Sequence, residues 1–81
     1  MTVSVRFFAR YAELAGCTSS AVHVPMPATV GDVIAKVREL FPGTRIMPLR
    51  PLAALNRRQV KLDAAVNEGD EVALLPPISG G

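Results

Sequence analysis

Cysteine, histidine and aromatic residues are scarce in this sequence of 81 residues. It contains one cysteine, one histidine, three phenylalanines, one tyrosine and no tryptophan. A single cysteine cannot form an internal disulfide, so we expect a reducing compartment, the cytoplasm. Because few rings are available to stack bases and the net charge is only +2, no nucleic-acid-binding surface is expected. The lack of clustered histidine and cysteine also argues against a metal site.

Long apolar runs and nucleotide-binding motifs are missing as well. No stretch approaches the roughly 20 apolar residues that cross a bilayer, and Arg6 and Arg10 interrupt the first apolar segment, so no signal peptide or membrane span is expected. Neither a G-x-G-x-x-G pattern nor a phosphate-binding loop occurs. His23 and Cys17 each lack the neighbouring group that catalysis would need. We therefore expect the chain to bind no cofactor and to act through partners.

The apolar pattern predicts one domain over residues 1–81 with the element order ββαβββ. Strands are predicted where β-branched residues alternate with others, at 2–9, 19–24, 52–56, 59–62 and 71–78. A short helical turn is predicted at 10–16, a loop at 44–51, and a turn at 67–70 in which Gly69 supplies a positive φ.

One longer helix is predicted over residues 29–43. Thr29 and Asp32 have the spacing of an N-terminal capping box, and Pro42–Gly43 is a stop signal. Asp32 and Lys36 are spaced for an ion pair one turn apart. The apolar residues recur at helical spacing in one stripe: Val30, Val33, Ile34, Val37, Leu40 and Phe41. We expect this stripe to cover residues of one sheet face, namely Val3, Val5, Phe7, Val72 and Leu74.

A single apolar helix stripe can cover one face of one mixed sheet. This predicts an α+β fold of the β-grasp type, with about five strands on one main helix and with the first and last strands adjacent and parallel. A ferredoxin-like fold is less suitable because only one long helix is visible. Alternation places Phe8 and Leu75 on the sheet face opposite the helix, where they could bind a partner or cover a second edge of the core.

The last six residues, 76–81, are predicted to form a flexible tail: Pro76, Pro77, Ile78, Ser79, Gly80 and Gly81. The two prolines remove two N–H donors and end strand pairing, and small residues follow. Such a slim segment suits insertion of the Gly81 carboxylate into the narrow active site of another protein, because glycine allows a close backbone approach. The alternative is a frayed end without a role. We expect the tail residues from Pro76 to Ser79, together with Phe8 and Leu75, to contact the partner.

Three segments resemble a known family: "VRFFARYAELAG", "LAALNRRQV" and "EGDEVALLPPISGG". They are similar to the MoaD-like small subunit of molybdopterin synthase, within the ubiquitin-like sulfur carriers that also include ThiS. The resemblance covers essentially the whole chain, and Pro76–Pro77 favours the MoaD-like branch. One departure is Leu74–Leu75, where family members often carry an aromatic pair.

The resemblance implies a mechanism centred on Gly81 and its neighbour Gly80. An E1-like (MoeB-like) enzyme would use ATP to adenylate the Gly81 carboxylate, and a sulfur donor would convert it to a thiocarboxylate. The large (MoaE-like) synthase subunit would then receive the tail and pass the sulfur to cyclic pyranopterin monophosphate. Three alternatives stay open: a carrier for another pathway (thiamine, a sulfur amino acid or a tungsten cofactor), a protein modifier conjugated through Gly81, and a binding module with an idle tail.

Overall fold

The computed structural model describes residues 1–77. The predicted roles of Ile78, Ser79, Gly80 and Gly81, including the flexible Gly-Gly tail, lie outside these residues. The described elements are β1 Thr2–Phe7, α1 Arg10–Ala15, β2 Ser19–His23, β3 Ala28–Thr29, α2 Val30–Leu40, a 3-10 helix Pro42–Ile46, β4 Leu52–Leu55, β5 Arg58–Val60, β6 Ala65–Val66 and β7 Glu71–Leu75.

Five of the strands form one mixed sheet in the order β2-β1-β7-β4-β5. The pair β1–β7 is parallel, and the pairs β1–β2, β4–β7 and β4–β5 are antiparallel. The first and last strands therefore lie side by side, as predicted, with β7 in the centre. Helix α2 covers one face of this sheet, which confirms the β-grasp arrangement.

Strand register decides which side chains meet the helix. In the parallel pair, Val5 lies opposite Val72 and Phe7 lies opposite Leu74. These side chains are buried against the α2 stripe, and the Phe7 ring meets the Phe41 ring edge-on at 5.6 Å between centroids. The predicted core is confirmed for Val3, Val5, Phe7, Val72, Leu74, Val30, Val33, Ile34 and Val37, with Phe41 half-buried beside it.

Leu40 is a correction to the predicted stripe, because 48% of its surface is exposed. At 100° per residue, Leu40 lies about 80° from Val30 around the helix axis, farther out on the same side than the buried Val33, which lies at about 60°. The stripe that meets the sheet is narrower than the spacing alone indicates.

The predicted loop 44–51 begins inside a 3-10 helix, Pro42–Ile46, with Thr44 and Met47 buried. The Arg38 guanidinium of α2 donates to the carbonyls of Thr44, Arg45 and Met47 at 3.3, 3.4 and 3.3 Å, and also to Pro48. This contact between helix and loop could not be anticipated from local pattern.

The remaining differences concern element ends and one ion pair. Helix α2 runs over Val30–Leu40 inside the predicted 29–43, and Thr29 and Asp32 form the predicted capping box. Because the Asp32 carboxylate accepts from Thr29 N at 2.8 Å, it does not pair with Lys36, whose ammonium lies 3.4 Å from Glu39 instead. The β3–β6 pair was not predicted, because strands of two residues are too short to show an alternation of apolar and polar side chains.

Candidate functional site: the outer sheet face and the root of the tail

The sheet face opposite α2 carries an exposed apolar cluster, which we call the outer-face patch and define as Phe8, Leu52 and Leu75. Leu52 lies opposite Leu75 in the β4–β7 pair, and the β1–β7 register carries Phe8 to the level of Leu75. Phe8 is 38% exposed and Leu52 is 40% exposed, while Leu75 is half-buried. An exposed phenylalanine beside two leucines on one surface is typical of a protein-docking anchor.

Small and charged residues lie next to the outer-face patch. Ala54 and Ala73 lie opposite each other in the β4–β7 pair, next to the Leu52–Leu75 pair on the same face of the sheet. The Arg6 guanidinium lies 5.3 Å from the centroid of the Phe8 ring, a cation–π distance. The predicted positions of Phe8 and Leu75 on this face agree with the register, and the structure adds Leu52.

Leu52 was missed because its role depends on pairing. The segment "LAAL" places one leucine on each face of the sheet, and its alternation does not indicate which one meets the helix. Only the pairing of Leu52 with Leu75 assigns it to the outer face.

The backbone at Ala9 turns the chain from the patch into α1. Ala9 has φ 49° and ψ −126°, a combination that glycine adopts readily and residues with a Cβ adopt rarely. The Phe8 carbonyl accepts from Tyr11 N at 2.9 Å across this turn. Strained backbone of this kind persists only where surrounding contacts hold it, and here it ends β1 directly after the Phe8 anchor.

The root of the tail follows the last paired residue. β7 ends at Leu75, and the half-buried Pro76 and the exposed Pro77 leave the sheet. This outcome shortens the predicted strand 71–78, since proline cannot donate to a ladder. The chain therefore leaves the central strand directly after Leu75, a member of the outer-face patch.

The other candidate residues have structural roles. His23 Nδ1 lies 2.9 Å from Thr2 Oγ1 on the exposed edge of the sheet, and the Cys17 thiol is free and half-buried. The carboxylates of the turn 67–70 accept backbone hydrogen bonds. Asp70 accepts from Asn67 N within the turn at 2.7 Å, and Glu68 accepts from Thr2 N of β1 at 3.0 Å. Gly69 has the predicted positive φ, 83°.

Residues 1–77 lack two features of other function classes. No group of three or more His, Cys, Asp and Glu side chains is arranged to hold a metal ion in this part of the chain. Within the same range, no helix has both the length and the apolar character to cross a membrane.

The structure is a ubiquitin-like β-grasp domain with an exposed apolar patch beside its last strand. A family model described as the ThiS family matches residues 5–81, so the chain belongs to this family of sulfur carriers. It is 31% identical to the molybdopterin synthase sulfur carrier subunit of Chlamydomonas reinhardtii over 83 residues, covering 100% of both chains.

Solved structures agree with this assignment. SAMP1, the small archaeal modifier protein 1 of Haloferax volcanii, superposes with a TM-score of 0.89 at 30% identity, covering 100% of both chains. Subunit 1 in the complex of subunits 1 and 2 of the molybdopterin-converting factor from Helicobacter pylori has a TM-score of 0.71 at 24% identity, covering 100% of both chains, and it supports the fold alone.

Proposed function

We propose that this protein is the sulfur carrier subunit of a molybdopterin synthase and that it carries sulfur as a thiocarboxylate on Gly81. The observation that carries the proposal is the full-length similarity to a curated molybdopterin synthase sulfur carrier subunit. The geometry supports it, because the central strand ends at Leu75, within an exposed apolar patch, a few residues before Gly81 in the sequence. A docked partner would thus receive the tail.

The chemistry explains why the carrier needs an activating enzyme. A carboxylate is a poor electrophile, so its oxygen first attacks the α-phosphorus of ATP in an E1-like enzyme and releases pyrophosphate. Hydrosulfide from the sulfur donor then attacks the acyl carbon, AMP leaves with the C–O bonding pair, and loss of the S–H proton leaves the thiocarboxylate. Tethering this nucleophile to a docked domain gives it a high effective concentration at the partner's active site.

Docking would use the outer-face patch. Phe8, Leu52 and Leu75 would contact the large synthase subunit, and the segment from Pro76 to Ser79 would lead Gly80 and Gly81 into its active site. The four residues after Pro77 reach at most about 13–14 Å, so the acceptor site must lie close to the patch. We place these events in the cytoplasm, which supplies ATP and reduced sulfur.

The test is intact mass spectrometry of the protein, beginning with a mass that shows whether Gly81 is the last residue. Incubation with the cognate E1-like enzyme, ATP and a sulfur donor should add about 16 Da, the difference between sulfur and oxygen. The thiocarboxylated protein, mixed with the large subunit, should convert cyclic pyranopterin monophosphate. A variant that lacks Gly81 is the control, and sulfur loading or pterin conversion by that variant at the wild-type rate would contradict the proposal.

A second candidate is a protein modifier joined to lysines through Gly81. The similarity to SAMP1, named a small archaeal modifier protein, favours it. Modification would appear as higher-mass conjugates on denaturing gels, with a Gly81-to-lysine isopeptide in the digest. Thiocarboxylate formation without pterin conversion would instead indicate a carrier for another pathway.

A further inference from the structure

A groove of about 450 Å³ lies at the root of the tail, outside the outer-face patch. Its walls come from α1, from the end of the 3-10 helix and from the residues after β7, and include Arg10, Tyr11, Leu14, Ile46, Pro48 and Pro77. Ile46 is 67% exposed, which is unusual for an isoleucine on a groove wall. Two lining residues of the groove are close in sequence to residues of the patch: Arg10 lies two residues after Phe8, and Pro76 lies directly after Leu75.

The polar groups of the groove are donors. Arg10 contributes a guanidinium, and none of the lining residues is acidic. The Tyr11 side chain is 96% buried, since its exposure is 4%, and its hydroxyl has no hydrogen-bond partner among residues 1–77. The Met47 and Pro48 carbonyls on the groove wall already accept from Arg38. An apolar groove with an unpaired hydroxyl and a cation complements an apolar segment that brings an acidic acceptor.

We propose that this groove binds an apolar, acidic segment of the large subunit that receives the tail. The inference rests on the proposed function, because it extends the docking surface of that partner. The reach of residues 78–81, about 13–14 Å beyond Pro77, supports this occupant. An acceptor site within that distance necessarily brings the partner's surface over Pro77, which itself lines the groove.

The experiment measures the Kd between the full chain and the large subunit of the same organism by calorimetry. Ile46→Asp should raise Kd at least about tenfold, because it places a carboxylate against the acidic segment and removes an apolar contact. Leu49→Asp is the matched control, since Leu49 is 88% exposed on the same connecting segment but outside this groove, and it should leave Kd within about twofold of wild type. Arg10→Glu should weaken binding about tenfold, with Arg50→Glu as its control.

Tyr11→Phe separates docking from a structural role. Removing a buried hydroxyl without a partner should leave the midpoint of thermal unfolding unchanged or higher, while Kd rises about fivefold. A lower midpoint with unchanged Kd would make Tyr11 a structural residue and overturn its place in the proposal.

The other outcomes are distinct. Equal effects of Ile46→Asp and Leu49→Asp, with wild-type binding intact, would overturn the groove and leave the proposed function standing. Failure of the wild-type chain to bind the large subunit would overturn both. Altered Ile46 and Tyr11 NMR signals in the isolated chain after removal of residues 78–81 would assign the groove to its own tail. A concentration-dependent mass in sedimentation, abolished by Ile46→Asp, would assign it to a second copy.

Discussion

Ala9 is a single residue with a strained backbone, at the turn between β1 and α1. Its φ of 49° and ψ of −126° belong to glycine, and Ala9 is exposed, so its methyl group makes no core contact that would justify the conformation. What holds it is the flanking structure: β1 pairs on both edges, and Tyr11 N donates to the Phe8 carbonyl. The backbone conformation of Ala9 turns the chain away from the sheet directly after Phe8.

Ala9→Gly should therefore stabilise the protein. Relief of the strained backbone contributes about 1–3 kcal/mol, and the added freedom of glycine in the unfolded chain costs about 0.5–1 kcal/mol, so a net gain of about 1 kcal/mol is expected. Urea denaturation followed by circular dichroism measures it. Ala12→Gly, within α1, is the control and should lose about 1 kcal/mol. A loss of stability in Ala9→Gly would show that the turn is not strained.

At the scale of elements, the α2 stripe distinguishes two residues that look alike in the sequence. Ile34 is 3% exposed and Leu40 is 48% exposed, although both follow the helical apolar spacing. Ile34→Ala should lower the free energy of unfolding by about 2–5 kcal/mol, because it leaves a cavity against the sheet. Leu40→Ala, the matched control, should change it by less than about 1 kcal/mol. Similar losses for both variants in denaturant melts would contradict the observed packing.

Arg38 joins α2 to the segment that follows it. Its guanidinium donates to carbonyls of Thr44, Arg45, Met47 and Pro48, which no aliphatic side chain can replace. Arg38→Met keeps most of the aliphatic stem and should cost about 1–2 kcal/mol, a value reduced by the partial exposure of the group.

Amide hydrogen exchange measures the local effect of Arg38→Met. The Thr44 and Met47 amides, bonded at 2.9 and 3.0 Å, should exchange faster while β1 and β7 amides keep their protection. Lys36→Met, which removes only the pair with Glu39, should change stability by less than about 0.5 kcal/mol. Unchanged exchange at Thr44 in Arg38→Met would show that the 3-10 helix holds itself.

At the scale of the whole molecule, the proposed function assigns partner binding to the outer-face patch. The Phe8→Ala, Leu75→Ala double variant should fold normally, because both side chains lie opposite the helix-covered core, yet it should bind the large subunit at least about 100-fold more weakly. Leu52→Ala should weaken binding about tenfold. Calorimetry measures these values, and Leu49→Ala serves as the control. Wild-type affinity in the double variant would remove the patch from the docking surface.

Local sequence patterns were sufficient for much of the fold. The capping box at Thr29, the turn at Gly69 and the alternation of β1 and β7 each involve neighbours in the chain, so the residues themselves specify them. The predicted ends of the helices and strands were less accurate. The β7 end at Leu75 shows why, since the prolines after it decide where pairing stops more strongly than the apolar run does.

Individual contacts between separate elements, such as those of Gly43 and Arg38, could not be predicted from the sequence. Gly43 appeared to be only a helix stop, but a Cβ at this position would lie 2.2 Å from the Leu14 carbonyl oxygen, so its lack of a side chain is required by the approach of α1. Arg38 lies in α2, and the carbonyls to which it donates belong to the 3-10 helix and the residues after it. In each case the contact joins two separate elements, and the period within one element does not indicate how another packs against it.

The sequence by itself determined the fold class and the family, because alternation, helical spacing and the "LLPPISGG" segment are local signals, and the fold class in turn implied that β1 lies parallel to β7. Only the tertiary structure decided that Leu52 joins Phe8 and Leu75 in one patch and that Ile46 and Tyr11 share a groove with Pro77. The physical reason is that a docking surface is made where separate strands and loops meet, and strand register and packing, rather than neighbouring residues, bring its members together.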